Sequence, residues 1–197
     1  MLNDNYWQNR YLKDDAGWDV GMPSTPIATY IDQLINKDLK ILIPGCGNSY
    51  EAEYLWKNGF KNVHLLDYAL QPISNFKKRV PSFPDTQLFV TDFFKHVGQY
   101  DLIIEQTFFC AINPSLRDQY AKHVHSLLAD KGKLVGLLFN CEFEKDGPPF
   151  GGNADEYKKC FSPYFDFKTF ETAFNSIAPR AGRELFINLQ KRSLISQ

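Results

Sequence analysis

Lys40-Ile41-Leu42-Ile43-Pro44-Gly45-Cys46-Gly47-Asn48-Ser49 is a short apolar strand that turns on two glycines and runs into a helical stretch over residues 49–57. Asn58-Gly59 closes that helix, with Gly59 as its C-terminal cap, because glycine enters left-handed backbone at no steric cost. Outward from this unit, strand and helix alternate. Residues 63–66 form a second strand that ends in Asp67, residues 70–79 carry helix signals, and residues 87–90 make a third strand. Residues 100–105 form a fourth, apolar through its centre as a strand covered on both faces must be. Asn113-Pro114 starts a helix over residues 113–129, since Asn is a good N-cap and Pro is preorganised for the first turn. Asp130-Lys131-Gly132 then turns into a fifth strand over 133–139, and segments near 165–170 and 184–190 supply two more. Helices of this length between strands impose parallel pairing through right-handed crossovers. The expectation is one α/β domain over residues 1–197, an open, doubly wound, mostly parallel seven-stranded sheet. Residues 1–38 look helical, and Trp7, Tyr11 and Trp18 are placed to cover something.

Composition narrows the function classes. A chain of 197 residues, 44% hydrophobic and 15% aromatic, builds one sizeable core with little room for a second. Twenty-two basic residues oppose 23 acidic ones, without the basic stripe of a phosphate-backbone binder, so no nucleic-acid partner is expected. The densest basic cluster, Lys77-Lys78-Arg79, reads as the solvated end of a helix. No apolar run approaches the roughly 20 residues that cross a bilayer. Met1-Leu2-Asn3-Asp4-Asn5 lacks the charged-then-apolar order of a secretion signal. A cytoplasmic location without a membrane partner is the expectation. Cys46, Cys110, Cys141 and Cys160 show no Cys-x-x-Cys spacing, and His123 and His125 point to different faces of a helix. No metal site is expected.

In a Rossmann-like sheet, ligands bind outside the carboxyl ends of the strands, where strand order reverses. Three features converge there. Gly45 and Gly47 permit a tight turn and a close ligand approach, although a lone Gly-x-Gly is also an ordinary turn. Asp67, 20 residues past Gly47, can accept hydrogen bonds from both hydroxyls of a ribose, or else cap the helix that follows. Thr91-Asp92-Phe93-Phe94 places an acid beside an aromatic pair, able to bond an adenine amino group while a ring packs on the base. Together they describe an adenosine pocket. A dinucleotide fingerprint requires a third glycine where this chain has Tyr50. That side chain disfavours a diphosphate and suits a nucleoside ligand without phosphates, such as S-adenosylmethionine.

The chain also resembles the thiopurine S-methyltransferase family, which includes thiol, thiocyanate and halide methyltransferases. The resemblance runs through Trp7-Gln8-Asn9-Arg10-Tyr11, the stretch from Ile43 to Asn48, the segment from Tyr100 to Pro114 with Arg117, and Gly147-Pro148-Pro149-Phe150. It spans residues 5–190. It implies that Gly45, Cys46 and Gly47 hold the methionine part of S-adenosylmethionine and that Asp67 holds its ribose. It implies that Asp92 and Phe93 meet the adenine and that Tyr11 and Trp18 close over the cofactor, although many relatives have Trp where Tyr11 stands. It places Arg117 beside the acceptor, with Arg180 or Arg183 as a second arginine, and makes a monomer the simplest expectation.

The sulfonium methyl is already electrophilic, so the protein has to hold the acceptor in line rather than supply a nucleophile. Arg117, near a helix N-terminus, would stabilise an ionised acceptor, unless it is only a surface ion pair with neighbours of Asp118. Phe108, Phe109 and Phe150 would wall an apolar acceptor pocket, or else serve the core. Cys46 would offer backbone contacts, with Cys110 and Cys141 buried and inert. The expected function is methyl transfer to a small soft nucleophile: a thiol, thiopurine, thiocyanate, halide, or selenium or tellurium species. Three rivals stand beside it. An amino-group methyltransferase would carry Asp/Asn-Pro-Pro-Tyr/Phe where this chain has Glu105-Gln106-Thr107-Phe108. A nicotinamide-dependent dehydrogenase is opposed by Tyr50. A catalytically silent adenosine-binding protein would keep the same binding residues.

Overall fold

The computed structural model describes residues 2–193. Met1 and residues 194–197, at the two ends of the expected domain, lie outside the described residues. The strands are β1 (Ile41–Pro44), β2 (Val63–Asp67), β3 (Leu88–Val90), β4 (Tyr100–Gln106), β5 (Leu128–Phe139), β6 (Phe165–Thr172) and β7 (Glu184–Lys191). The helices are α1 (Asp4–Leu12), α2 (Thr25–Asp32), α3 (Tyr50–Lys57), α4 (Leu70–Arg79), α5 (Arg117–Leu127) and α6 (Ala154–Phe161). The strands join one sheet in the order β3-β2-β1-β4-β5-β7-β6. The first five pair in parallel, and β7 runs antiparallel to both β5 and β6.

Alternation along the central strands explains why they read as unbroken apolar runs. Ile41 and Ile43 of β1, with Leu102 and Ile104 of β4, face Ile27 and Ile31 of α2, Leu55 of α3 and Phe76 of α4. Leu42 and Ile103 face the other way, toward Tyr120 and Val124 of α5 and Tyr157 and Phe161 of α6. Successive strand residues point to opposite faces, so both faces must be apolar. Each large side chain so enclosed contributes about 1.5–3 kcal/mol. The helices lie two to a side or more, and the order reverses between β1 and β4. The glycine turn after β1 and the tip of β4 therefore flank the crevice.

Three local features differ from the expectation. The helix after Asn113 opens as a 3-10 turn over Pro114–Leu116, making Arg117 the first residue of α5. That helix ends at Leu127, because Leu128 already pairs with Tyr100. The expected turn at 130–132 is a bulge inside β5: Lys131 adopts φ +61° and the ladder resumes at Leu102 and Lys133. Finally, α6 was not expected; Asn153 caps it by accepting hydrogen bonds from the N–H groups of Asp155 and Glu156. Among the described residues, no helix is long and apolar enough to cross a membrane.

Gly136 of β5 lies opposite Glu105 of β4. A Cβ there would stand 2.3 Å from the Glu105 carbonyl oxygen and 2.4 Å from its Cβ. Neither atom can swing aside. Gly136→Ala is expected to lower stability by about 1–3 kcal/mol, read as a fall in the urea midpoint.

Candidate active site

The turn after β1 is built from left-handed residues: Gly45 at φ +55°, Gly47 at +53° and Ser49 at +58°. Its geometry is fixed from the neighbouring strand. The Cys46 N–H donates to the Leu66 carbonyl at 3.0 Å, and the Gly47 N–H donates to Asp67 Oδ2 at 2.9 Å. The other carboxylate oxygen, Oδ1, accepts from the Ala69 N–H at 2.9 Å. Asp67 is therefore a brace between β1 and β2, while Ala69 is the N-cap of α4 and offers no side-chain bond. Each carboxylate oxygen retains acceptor capacity beyond these bonds. Burial pushes its carboxyl up to about 6, against the pull of the N–H groups bonded to it.

The N-terminal segment lies directly on this turn. A Cβ on Gly47 would stand 2.8 Å from the Tyr11 hydroxyl, so only glycine leaves room there. Trp18 Nε1 donates to that hydroxyl at 3.4 Å, and the two rings meet edge to face at 5.7 Å. Burial, reinforced by the nearby Asp67, holds the Tyr11 phenol far above its ordinary range. Asp19 accepts a hydrogen bond from Asn48 and another from the Tyr50 hydroxyl at 3.5 Å. The Ser24 N–H donates to Glu51 at 2.9 Å, and the Gln71 N–H donates to Gln8 at 2.9 Å.

These contacts surround the turn with acids. Asp19, Asp67 and the buried Glu51 are close to it, and α3 opens with Glu51 and Glu53 in its first turn. The basic groups nearby are engaged: Arg79 stacks on Tyr50 and meets Glu53 and the Asn48 carbonyl, Arg10 lies over Trp18 and pairs with Asp15, and Arg180 donates to the Trp18 carbonyl. A diphosphate at this helix start would face carboxylates. A cationic ligand bearing a sulfonium and an ammonium fits them, as charge complementarity requires.

On the β4 side, Phe108 packs against Gly45 so closely that a Cβ would meet its ring at 2.2 Å. Asp92 is half-buried and accepts from the Phe94 N–H at 3.0 Å. Of the Phe93-Phe94 pair expected to offer a ring to adenine, Phe93 is enclosed. Its side chain is 1% exposed and packs among Phe94, Phe108, Tyr120 and His123. It can meet a ligand only through its main chain.

Arg117 is not a surface ion pair. Its guanidinium donates to the carbonyls of Gly151 at 2.7 Å and Phe150 at 3.4 Å, and lies 5.0 Å from the Phe109 ring centroid. Its Nε is buried without a partner. The half-buried Phe150 donates its N–H to the Cys110 carbonyl at 2.6 Å, which ties the Gly147-Pro148-Pro149-Phe150 loop to the β4 tip. Arg180 and Arg183 separate cleanly. Arg180 is buried, donates to the Trp18 carbonyl at 2.8 Å and approaches Glu184 at 3.5 Å, whereas Arg183 is exposed. Burial raises the thiols of Cys46 and Cys110 well above their ordinary range, which suits neither as a nucleophile. Cys141, expected to be buried, is partly exposed.

A family model for thiopurine S-methyltransferase matches residues 2–186. The chain belongs to the thiopurine S-methyltransferase family. Its relatives include a probable thiol methyltransferase 2 of Arabidopsis thaliana, 28% identical, with 95% of this chain and 85% of that protein covered. A thiocyanate methyltransferase 1 of the same plant is 25% identical over 90% of this chain and 81% of its own length. A thiopurine S-methyltransferase of Acinetobacter baylyi is 22% identical over 85% and 87%. The fold is shared more widely. A 1,6-didemethyltoxoflavin-N1-methyltransferase of Burkholderia thailandensis superposes with a TM-score of 0.75 at 15% identity, covering 96% of this chain and 87% of that one. Membership makes this chain an S-adenosylmethionine-dependent methyltransferase, and nothing in the comparisons favours a dehydrogenase or a silent binder.

Within this thiopurine S-methyltransferase relative, Gly45, Cys46, Gly47, Asp67, Tyr11 and Trp18 come together, with Phe108 as the wall they share with the β4 tip. Arg117 meets the Phe150 carbonyl over the Phe109 ring. Sequence reasoning passed over Asp19 and Glu51, whose partners Asn48 and Ser24 are distant in the chain, and Glu105, whose partners Phe108 and Phe109 are near but reached only through the left-handed turn at Thr107. Gly47→Ala combines a left-handed backbone cost of about 1–2 kcal/mol with displacement of the Tyr11 hydroxyl. It is expected to lower the melting temperature and to change the fluorescence of Trp18, which that hydroxyl contacts.

Proposed function

We propose that this chain transfers the methyl group of S-adenosylmethionine to a small soft nucleophile (a thiol, thiopurine, thiocyanate, halide, or selenium or tellurium species) held beside Arg117, Phe108 and Phe150. The observation that carries this reading is the Arg117 guanidinium, which is half-buried over the Phe109 ring, bonded only to main-chain carbonyls, and keeps a buried Nε without a partner.

When bound, S-adenosylmethionine supplies a methyl group that is already electrophilic. The chain's own residues do the rest. Gly45, Cys46 and Gly47 hold the methionine part, Asp67 takes the ribose hydroxyls, and Asp92 with the main chain at Phe93 takes the adenine. Tyr11 and Trp18 cover the site and exclude water. Holding two reactants in line accounts for about 7–11 kcal/mol of barrier lowering. Arginine keeps its proton in proteins, so Arg117 stabilises the acceptor's negative charge rather than acting as a base. Its place at the start of α5 adds the favourable end of the helix dipole. Arg180 rather than Arg183 is the second arginine, because it alone points inward from the start of β7. The reading is completed by one monomeric domain in the cytoplasm, where reduced cysteines persist. Its partners are small molecules rather than nucleic acid or membrane.

Asp67→Ala is expected to abolish S-adenosylmethionine binding in calorimetry, whereas Arg117→Ala keeps binding and loses turnover with iodide, thiocyanate and thiols. Equal loss of cofactor affinity in both variants would remove this division of roles. The ionised form of Asp67 is the one that accepts two hydroxyls. Cofactor affinity should therefore plateau above pH 7 and fall below about pH 6, approaching about tenfold per pH unit, with the fall absent from Asp67→Asn.

A further inference from the structure

We infer that Glu105 is a positioning residue for methyl transfer, its enclosed carboxylate setting the cofactor wall and the acceptor arginine in one frame. The inference rests on the acceptor reading above and adds a residue that never touches either reactant.

Glu105 ends the buried part of β4 and is 0% exposed. Its Oε1 accepts from two consecutive main-chain donors, the N–H groups of Phe108 and Phe109, both at 2.8 Å. Its Oε2 accepts from the Tyr120 hydroxyl at 2.5 Å. The chain must leave β4 sharply for these bonds to form, and Thr107 does so with φ +59°, a conformation that side chains other than glycine adopt at a cost. Three donors compensate for the burial of one carboxylate, where a neutral side chain would need no such set.

The consequences run in two directions. Phe108, held by its N–H, is the ring that rests on Gly45 of the cofactor turn. Phe109, held by its N–H, is the ring beneath the Arg117 guanidinium, 5.0 Å away. Tyr120 packs against Phe109 at 5.1 Å and sits one turn after Arg117 on α5. The next residue, Cys110, receives the Phe150 N–H on its carbonyl. One carboxylate thus fixes the distance between the turn that holds the methyl donor and the guanidinium that holds the acceptor. The groups facing it are Tyr120 from α5, the Cys110 thiol from the loop and Gly136 from β5; among the described residues it makes no salt bridge. Burial pushes its carboxyl up to about 7, against the three donors, so protonation near neutrality would remove an acceptor from this frame.

The test uses Glu105→Gln and Tyr120→Phe with saturating S-adenosylmethionine, and thiocyanate and iodide as acceptors that take up no proton near neutrality. Expected are a loss in acceptor kcat/KM of about tenfold to a hundredfold, with cofactor Kd changed less than about threefold. Wild-type kcat/KM should fall as pH drops through about 7, and that inflection should vanish in Glu105→Gln. Should Glu105→Gln not fold, Tyr120→Phe decides by the same loss in acceptor kcat/KM. A lower melting temperature with unchanged kcat/KM and an unchanged pH inflection would make Glu105 merely structural and overturn the inference. A wild-type chain that binds S-adenosylmethionine but turns over no acceptor would instead overturn the acceptor reading beneath it.

Discussion

The bond pair between Asp67 and the main-chain N–H groups of Gly47 and Ala69 is the constraint on which the site depends. It joins the turn after β1 to the tip of β2 across a parallel pairing that would otherwise splay past the last ladder bond. The left-handed run through Gly45, Gly47 and Ser49 is tolerable only because this brace, and the Tyr11 hydroxyl above it, hold the turn in place. A carboxylate buried this deeply carries a desolvation cost, visible in its raised titration. Such a cost is usual where a group is held ready for a ligand rather than for stability alone.

The second constraint is electrostatic. Asp19, Glu51 and Asp67 lie around the β1 turn, Arg180 reaches its aromatic cover through the Trp18 carbonyl, and Arg117 stands apart at the start of α5. Phe108 rests on Gly45 of that turn and meets Phe93 edge to face at 5.2 Å, an apolar contact between the turn and the loop after β4.

Most of the fold was legible because its signals are local. Four apolar residues in β1, the glycines after it and the Asn-Pro start before α5 each follow from short-range sterics or from burial on two faces. The bulge at Lys131 was not legible, since Asp-Lys-Gly reads as a turn whether or not the strand resumes pairing across it. Helix α6 was missed because its start depends on Asn153 as cap after a loop with no periodicity. For the site, residue types at strand tips singled out Gly47 and Asp67, whereas Arg117 was indicated only by the family resemblance. Orientation was beyond reach: Phe93 turned inward, as its ring gains more from Phe108 and Tyr120 than a strand-end rule can anticipate. Glu51 and Asp19 escaped notice because their partners lie on other elements, and Glu105 because its bonds depend on a left-handed turn at Thr107 that no glycine marks.

Arg180 donates to the carbonyl of Trp18 across a separation of 162 residues. The other fastenings of the aromatic cover, Tyr11 over Gly47 and Gln8 on the Gln71 N–H, draw on residues translated well before Arg180, so Arg180 adds a later tie to a cover that is already seated. A nascent chain stalled before Arg180 would hold the cover by its earlier contacts and lack this one clasp on the Trp18 carbonyl.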